Sequence, residues 1–391
     1  MVYYWHMKKY DVIIIGAGAA GLAAAGIAVK RGRNVAIIDS GASPARKVAV
    51  SGGGRCNFTN LAAGRDRYFG ENPDFVRGAL SRVTPHDILQ WATAHNIEYV
   101  EKAPGQYFCA TTAKAVVDAL CRDANAAQLM TNTVVQNVRA DGDNFTVQTS
   151  SGDYQAHSII VATGGISFET LGVSDAGYKI AKSFGHKIVP VRPALCAIAT
   201  HAFDGAPVGA AVLAEITIGR DIIRDSMLIT HFGIGGPAIY RATVRNIDTG
   251  IKINMMPGAD AYEILRAART SSGRKSVHNV LSAYMPTRIA RWITNDSDKN
   301  IADYNDASLK QIAERIQNIA IAATDIKLHG MQSAEVVRGG VSTADVSSKT
   351  MESKLRPGLF FAGEVLDIAG DLGGFNLHWA WASGRIAGEN A

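Results

Sequence analysis

The sequence predicts an α/β fold in which a parallel sheet is interrupted by an inserted antiparallel β domain and by a helical subdomain. Near the start, an apolar run from Val12 to Ile15 leads through a glycine turn and an alanine-rich helical stretch to a second apolar run that ends at Asp39. Farther on, residues 194–255 alternate apolar and polar side chains, whereas residues 259–323 repeat apolar side chains at helical spacing. A chain of 391 residues can bury more than one core, so two or three domains are expected.

The first glycine turn carries three glycines, Gly16, Gly18 and Gly21, between the first strand and the first helix. Gly16 permits the tight turn, Gly18 lets the backbone approach a pyrophosphate, and Gly21 lets the helix pack close to the strand. The helix N-terminus offers N–H groups and the positive end of its dipole to phosphates. Asp39, at the end of the second strand, can accept a hydrogen bond from a ribose hydroxyl. The segment therefore predicts a Rossmann-type dinucleotide site.

The same region also has the length of a membrane span, because no charged residue occurs from Val12 to Val29. Two lysines in front of it resemble the start of a signal peptide. The recurring glycines, and a polar break at residues 30–34 before the next strand, argue against both interpretations. We expect a cytoplasmic protein that makes no membrane contact. Residues 1–6 are expected to be an unstructured leading segment, with Met7 as the working start.

The composition is that of a compact protein with free thiols. Its net charge of +5 permits an anionic ligand but does not by itself indicate nucleic-acid binding, which usually needs a concentrated basic stripe. Cys56, Cys109, Cys121 and Cys196 form no Cys-x-x-Cys pair and have no metal-type spacing. No metal site is predicted.

Two further glycine-rich segments are expected to return to the nucleotide site. The loop from Ser51 to Asn60 contains three successive glycines that expose backbone N–H groups. A strand-like run ends in Ala162-Thr-Gly-Gly165, and a final core strand leads into Gly363 and a last helix. These segments can supply phosphate and ring contacts in addition to those of the first turn.

Together these segments resemble a family of bacterial NAD(P)/FAD-dependent oxidoreductases that includes the bile-acid 4,6-reductase flavoproteins and is often labelled aminoacetone-oxidase-like. The resemblance covers nearly the whole chain. It implies one FAD, a Rossmann-type domain, an inserted β-barrel-like domain and a helical subdomain. The segments that carry it are Gly16–Gly21, Lys47–Asn60, Ala162–Gly177 with Gly185-His186, Thr230–Pro237, and Gly363–Asp367 through Gly373–Leu377.

Two departures from the family pattern concern the substrate. Gly235 stands where the family often has a serine, and Gly105–Cys109 replaces a Gly-Arg-x-Phe-Pro segment. Both lie in regions expected to face substrate, so the resemblance predicts the cofactor but not the substrate.

The C-terminal segment favours FAD over NAD. Gly363 and Glu364 can meet the ribityl phosphate, and a helix that begins near His378 would stabilise negative charge on reduced flavin. The predicted cofactor contacts are Gly16, Gly18, Ala19, Ala20, Gly21, Asp39, Ser40, Arg46, Lys47, Ser51, Gly52, Gly53, Gly54, Arg55, Cys56, Asn57, Val135, Ala162, Thr163, Gly164, Gly165, Gly363, Glu364, Asp367, Gly373, Gly374, Phe375, Asn376 and Leu377.

The domain boundaries follow from these segments. An FAD-binding domain is predicted for residues 1–190 and 341–391. An inserted β domain is predicted for 191–258 and 325–340, and a helical subdomain for 259–324.

His378 and His231 are the predicted proton donors, because imidazole titrates near neutral pH. Either histidine can instead be a buried structural partner. The predicted reaction is hydride transfer through flavin N5 to an electron-poor C=C or C=O bond of a small molecule. NADH or NADPH would act as a transient donor, since no second Gly-x-Gly-x-x-Gly motif is present.

Two alternatives to this reaction stay open. One is an oxidase that acts on a small amine and passes electrons to dioxygen. The other is a reductase of uridine in structured RNA, which is chemically the same C=C reduction. The sequence does not predict the oligomeric state.

Overall fold

The computed structural model describes residues 7–391, so the expectation for residues 1–6 lies outside the described residues. The chain divides into two compact units. The first comprises the chain up to Arg192 together with Glu335–Ala391, and the second comprises Pro193–Ala334. No helix among the described residues is both long and apolar enough to cross a membrane.

The strands are β1 Lys8–Ile15, β2 Val35–Ile38, β3 Asn57–Asn60, β4 Tyr68–Phe69, β5 Tyr99–Ala103, β6 Gln106–Cys109, β7 Gln128–Met130, β8 Val135–Asp141, β9 Asn144–Thr149, β10 Gly152–Val161, β11 Ile188–Ala194, β12 Ile198–Ala199, β13 Ala211–Ile218, β14 Asp221–Thr230, β15 Gly233–Gly235, β16 Ile251–Asn254, β17 Ile319–Ile321, β18 Lys327–Leu328, β19 Val336–Val341, β20 Leu359–Phe361 and β21 Ala369–Gly370. The α-helices are α1 Ala19–Lys30, α2 Arg46–Gly54, α3 Arg77–Arg82, α4 Pro85–Ala94, α5 Lys114–Asp123, α6 Ala176–Ser183, α7 Pro237–Thr243, α8 Ala261–Ser271, α9 Val277–Leu281, α10 Thr287–Ile293, α11 Asp306–Gln317 and α12 Phe375–Asn390.

The main sheet of the first unit has the order β7-β2-β1-β10-β9-β8, and β20 also pairs with β10. Strands β2, β1, β10 and β20 are parallel, and their paired carboxyl-terminal segments are buried on both faces, which explains the continuous apolar sequence there. Ile15 pairs with Ile38 and with Val161, and Val161 pairs with Phe361. The carboxyl ends of four strands therefore lie along one edge of the sheet, and the Rossmann-type prediction is confirmed.

Helices α1 and α12 pack unusually close together. A Cβ on Gly384 would collide with the carbonyl oxygen of Ala20, and a Cβ on Gly388 would collide with that of Ala24. The two contacts occur in the same order along both helices, so the helices run parallel. Since α1 starts at the carboxyl edge of the sheet, the N-terminus of α12 points towards the same edge.

The return from the second unit comes earlier than predicted. The boundary after Ala334 assigns β19 to the first unit, where β19 pairs with β11. Residues 335–340 are predicted to lie in the inserted domain, because the sequence does not show that β19 pairs with β11.

The second unit contains a seven-stranded antiparallel sheet with the order β17-β16-β13-β14-β15-β12-β18. Along β13, exposed and buried side chains alternate, as expected for a sheet with one solvated face. Helices α8, α9, α10 and α11 contribute to the same hydrophobic core as the sheet, so residues 259–324 do not form a separate core. Within the described residues the outer strands β17 and β18 do not pair with each other, so the sheet is open rather than a closed barrel.

Candidate dinucleotide-binding and active site

The first glycine turn has the geometry that a dinucleotide needs. Gly16 has a φ of +107°, its N–H donates to the Ile38 carbonyl at 2.8 Å, and a Cβ there would collide with the Ala162 carbonyl. A Cβ on Gly21 would collide with the Gly16 carbonyl. Gly18 differs, because a Cβ there would meet no atom within 4 Å and its backbone is ordinary. The fold itself thus requires Gly16 and Gly21, whereas Gly18 leaves space in front of α1.

Asp39 links this turn to the loop after β2. One carboxylate oxygen accepts from the Ala17 N–H at 2.7 Å, and the other accepts from the Gly41 N–H at 2.7 Å and from the Arg46 guanidinium at 3.1 Å. Arg46 also contacts the Leu171 carbonyl. The carboxylate stays beside the glycine turn, where the sequence analysis expects a ribose.

Val135 reaches the same edge of the sheet through the backbone. The Thr133 N–H donates to the Asp39 carbonyl at 2.9 Å, which holds the start of β8 near the carboxyl end of β2. The half-buried Val135 lies two residues farther on. Val135 is one of the predicted cofactor contacts, and its contact with a cofactor stays a prediction.

Lys47 and Glu364 form an ion pair at the carboxyl edge. The Lys47 Nζ lies 2.8 Å from Glu364 Oε2 and donates to Ser167 Oγ at 2.9 Å. The other Glu364 oxygen accepts from the Val337 N–H at 2.9 Å. Lys47 and Glu364 are predicted cofactor contacts, whereas the sequence carries no signal that singles out Ser167.

The glycine loop before α12 leads into a helix whose first turn has no side-chain cap. Gly373 and Gly374 have φ values of +119° and +94°, and no side chain caps the first turn of α12. The Asn376 amide accepts from the Gly370 N–H at 2.7 Å and donates to the Gly370 carbonyl at 2.9 Å. Asn376 therefore holds the loop, and the prediction that its side chain binds cofactor is not supported.

The structure also places two other predicted contacts inside the protein. Asp367 is 2% exposed and accepts from the N–H groups of Glu71 at 2.7 Å and Gly339 at 3.1 Å, and burial raises its pKa. Cys56 is fully buried, and burial raises the pKa of its thiol to about 12. Neither side chain is free to face a cofactor, because both are enclosed by the chain.

The position of His378 does not suit a proton donor. It is fully buried, its Nδ1 lies 2.9 Å from Thr59 Oγ1, and its Nε2 lies 3.1 Å from the Val83 carbonyl. Burial lowers its pKa to about 4, so the ring is neutral near pH 7. Both ring nitrogens are occupied by protein atoms, which corrects the predicted catalytic role.

His231 lies in the second unit, on the turn between β14 and β15. Its side chain is exposed, and its ring meets Phe232 edge-on at 4.8 Å between centroids. Its predicted role as a proton donor stays a prediction.

The predicted glycine loop at residues 51–60 overlaps the end of α2, but Ser51, Gly52, Gly53 and Gly54 do not have helical backbone angles. Helix α2 extends to Gly54 but is interrupted by an extended Ser51 and by left-handed Gly52 and Gly53. The Asn57 amide that follows donates to Gln106 Oε1 at 3.2 Å, while its own oxygen is buried without a partner among the described residues. Gln106 also lies against Gly373, which brings the two glycine segments together.

The remaining predicted contacts follow the strand ends. They lie at the start of α1, directly after β2, just after α2, in the segment after β10, after β20, and at the start of α12. In that order they are Ala19 and Ala20; Ser40; Arg55; Ala162, Thr163, Gly164 and Gly165; Gly363; and Phe375 and Leu377.

These residues fit an extended FAD. The first turns of α1 and α12 both lack a side-chain cap, so their N–H groups and positive dipole ends are available to negative charge. From the contact between Gly384 and Ala20, the N-terminus of α12 extends about 12 Å beyond that of α1, at 1.5 Å per residue. Thr163 Oγ1 and Asn57 Oδ1 are buried polar atoms that lack partners among the described residues. Two separated anion sites and unpaired polar atoms suit a pyrophosphate at one point and a flavin ring at another.

Comparison with known proteins supports this assignment. Residues 10–390 match the HI0933-like protein Rossmann domain family. The chain is 36% identical over 395 residues to the ribosomal RNA dihydrouridine synthase of Escherichia coli (strain K12), covering 96% of each chain. It is 27% identical over 405 residues to the 3-dehydro-bile acid delta(4,6)-reductase of Clostridium scindens, covering 97% of this chain and 98% of that one.

Among solved structures, the fold is similar to that of 3-ketosteroid-delta4-(5alpha)-dehydrogenase from Rhodococcus jostii RHA1. The TM-score is 0.51 at 14% identity, with 100% of this chain and 98% of that chain covered. The motifs, the strand-end geometry and the match along nearly the whole chain lead to one conclusion. This chain belongs to the HI0933-like family and is an FAD-dependent oxidoreductase of the Rossmann type.

Proposed function

We propose that this protein reduces a uridine in ribosomal RNA, with NADH or NADPH as the electron donor. The observation that carries the proposal is the 36% identity to a ribosomal RNA dihydrouridine synthase along 96% of both chains. The bile-acid reductase matches over a similar length at only 27%. The C=C bond of uracil is conjugated to a carbonyl group, so its reduction is the chemistry that the sequence analysis expects.

The first unit supplies the residues that would hold the cofactor. The glycine turn and the N-terminus of α1 would bind the pyrophosphate, and Asp39 would accept a ribose hydroxyl. The N-terminus of α12 would favour negative charge at the flavin ring. When bound, FAD would supply the hydride that saturates the double bond, with a proton completing the addition.

An anaerobic reoxidation experiment tests the substrate. The holoenzyme is reduced with NADH or NADPH and mixed in a stopped-flow instrument with an unmodified ribosomal RNA transcript. We expect the transcript to reoxidise the flavin, and mass spectrometry of the digested RNA to detect dihydrouridine. Free uridine at the same nucleoside concentration is the control. A flavin that stays reduced with ribosomal RNA would contradict the proposal.

A second candidate is the reduction of a steroid-like enone, favoured by the match to the bile-acid reductase along nearly the whole chain. The same assay with a 3-oxo-Δ4,6 bile acid decides between the two. Reoxidation by the bile acid, but not by the transcript, would establish the second candidate. Steady peroxide formation with small amines would instead establish the oxidase alternative.

A further inference from the structure

Three aromatic rings lie against one another on the second unit. The Phe232 ring lies parallel to the His329 imidazole, with centroids 4.2 Å apart and planes at 12°. The His231 ring meets Phe232 edge-on at 4.8 Å. His231 is exposed, and the other two are half-buried. We call His231, Phe232 and His329 the aromatic cluster.

The aromatic cluster is not part of the hydrophobic core. Phe232 is not among the described residues that form the core of the second unit or pack on it, although Leu328 and Trp292 are. Packing in the hydrophobic core of the second unit therefore does not explain why a phenylalanine stands at the tip of this turn.

The backbone holds the aromatic cluster in place from two sides of β12. The Thr200 N–H donates to the Phe232 carbonyl at 3.1 Å, and the His329 N–H donates to the Ala197 carbonyl at 2.9 Å. His329 Nδ1 lies 2.5 Å from Ser333 Oγ, which orients the imidazole plane. The rings are thus arranged before any ligand binds, which reduces the entropy cost of binding.

A preformed stack of flat rings accepts a further flat ring. Proteins bind unpaired nucleotides by stacking bases on phenylalanine and histidine, and this contact tolerates any base because every base has a π-face. The chain carries a net charge of only +5, and a stacking contact would add affinity that does not depend on charge.

We propose that the aromatic cluster is a stacking site for an unpaired nucleobase of the RNA substrate. This inference rests on the proposed function in ribosomal RNA and adds a binding site to it. One base, from a loop or a splayed strand of the RNA, would stack on the Phe232–His329 pair.

A binding experiment tests the stacking site without turnover. Oxidised holoenzyme is titrated into a fluorescein-labelled oligouridine and into a labelled, unmodified ribosomal RNA transcript, and anisotropy gives the Kd. We expect Phe232→Leu and His329→Ala to weaken binding about 5- to 150-fold, the range for losing one stacked base. Phe232→Tyr keeps the ring and should bind within about twofold of the wild type.

Tyr284→Ala is the matched control, because Tyr284 is an aromatic residue of the same unit that is 51% exposed and lies outside the aromatic cluster. It should not change the Kd. The slope of log Kd against log salt should be equal for wild type and Phe232→Leu, because stacking neutralises no phosphate. Competition with uridine monophosphate separates a site for a free nucleotide from a site for RNA.

The outcomes separate this inference from the proposed function. If the transcript reoxidises the flavin but Phe232→Leu and His329→Ala bind RNA like the wild type, the stacking site is wrong and the function stands. If the transcript fails to reoxidise the flavin, the function is wrong whatever the binding shows. A site saturated by uridine monophosphate at the same affinity as RNA would overturn the assignment to RNA. Loss of FAD occupancy in either cluster variant would also overturn it, because the rings would then support the fold.

Discussion

The carboxylate of Asp39 contacts two backbone N–H groups and one guanidinium, all at the carboxyl edge of the sheet. Replacing it with alanine removes the predicted ribose acceptor and the restraint on the glycine turn. We expect Asp39→Ala to raise the Kd for FAD about ten- to hundred-fold, as for a lost hydrogen bond to a charged group of about 1.5–3 kcal/mol. Equilibrium dialysis with FAD measures this change.

Asp11→Ala is the control for Asp39→Ala. The Asp11 carboxylate also accepts a backbone N–H, that of Asn34 at 2.8 Å, but at the opposite end of the same strands. The Asp11→Ala variant should have a lower free energy of unfolding and an unchanged Kd for FAD. Equal Kd values for Asp39→Ala and the wild type would show that the carboxylate does not face the ribose.

His378 provides a prediction on pH dependence. Its pKa falls from 6.5 to about 4 on folding, so the unfolded chain binds the proton more readily between these values. The contribution of the neutral ring to stability is therefore complete above pH 6.5 and is lost as the pH falls towards 4, by roughly 3 kcal/mol in all. Urea unfolding measures the effect: the difference in free energy of unfolding between wild type and His378→Asn should narrow as the pH falls from 6.5 to 4.

Exposed His86 is the matched control, and His86→Asn should change the free energy of unfolding little. Once His378→Asn is fully loaded with FAD, its substrate-dependent flavin reoxidation should equal that of the wild type from pH 6 to 8. Slower reoxidation at full FAD loading would return His378 to the list of proton donors.

At the residue scale, glycine spacing is the most predictable part of the site. Gly16 and Gly21 must be glycine for steric reasons, and both lie within one short sequence motif. Asp367 and Asn376 were less predictable, because their partners Gly339 and Gly370 become visible only when the loops fold. Gln106 lies in a segment that departs from the family pattern, and that departure was the only signal for it.

At the scale of elements, the contact between α1 and α12 depends on two glycines. We expect Gly384→Ala and Gly388→Ala each to lower the free energy of unfolding by about 1–3 kcal/mol, since overpacking outweighs the gain in helix propensity. Gly384→Ala should also weaken FAD binding more than Gly388→Ala does, because it displaces Ala20 in the first turn of α1. Urea unfolding and FAD dialysis measure the two effects.

Gly330→Ala is a suitable control, because a Cβ there meets open space and the backbone is not left-handed. It should change neither stability nor FAD affinity. If Gly384→Ala binds FAD as tightly as Gly388→Ala does, the first turn of α1 does not depend on this contact.

Elements with a strong periodic pattern were predictable, and those decided by a distant partner were not. The burial alternation of β13 agrees with its sequence pattern. Strand β19 was placed in the wrong unit because its pairing with β11 depends on a chain return that spans the whole second unit. Residues 259–324 were predicted to form a subdomain separate from the β domain for a similar reason, because periodicity does not show that the helices and the sheet share one core.

At the scale of the whole molecule, FAD should act as a stabilising ligand. The purified protein should be yellow, with about one FAD per chain. A ligand that binds only the folded state adds about 2.7 kcal/mol when its free concentration is 100 times Kd. The Tm of the apoprotein should therefore rise with FAD in differential scanning calorimetry. Riboflavin, which lacks the pyrophosphate and adenosine, should raise it far less; an equal shift would mean that the glycine turn binds no phosphate.

The parallel contact of α1 with α12 also has a consequence for the nascent chain. The first helix leaves the ribosome early, whereas its partner is translated only after nearly all the other described elements. At 5–20 residues per second, α1 waits on the order of tens of seconds for the glycine face that covers it. A chain still attached to the ribosome before α12 emerges has only one of the two helix ends that suit the cofactor. Binding that uses both helix ends is therefore expected only after α12 has been synthesised.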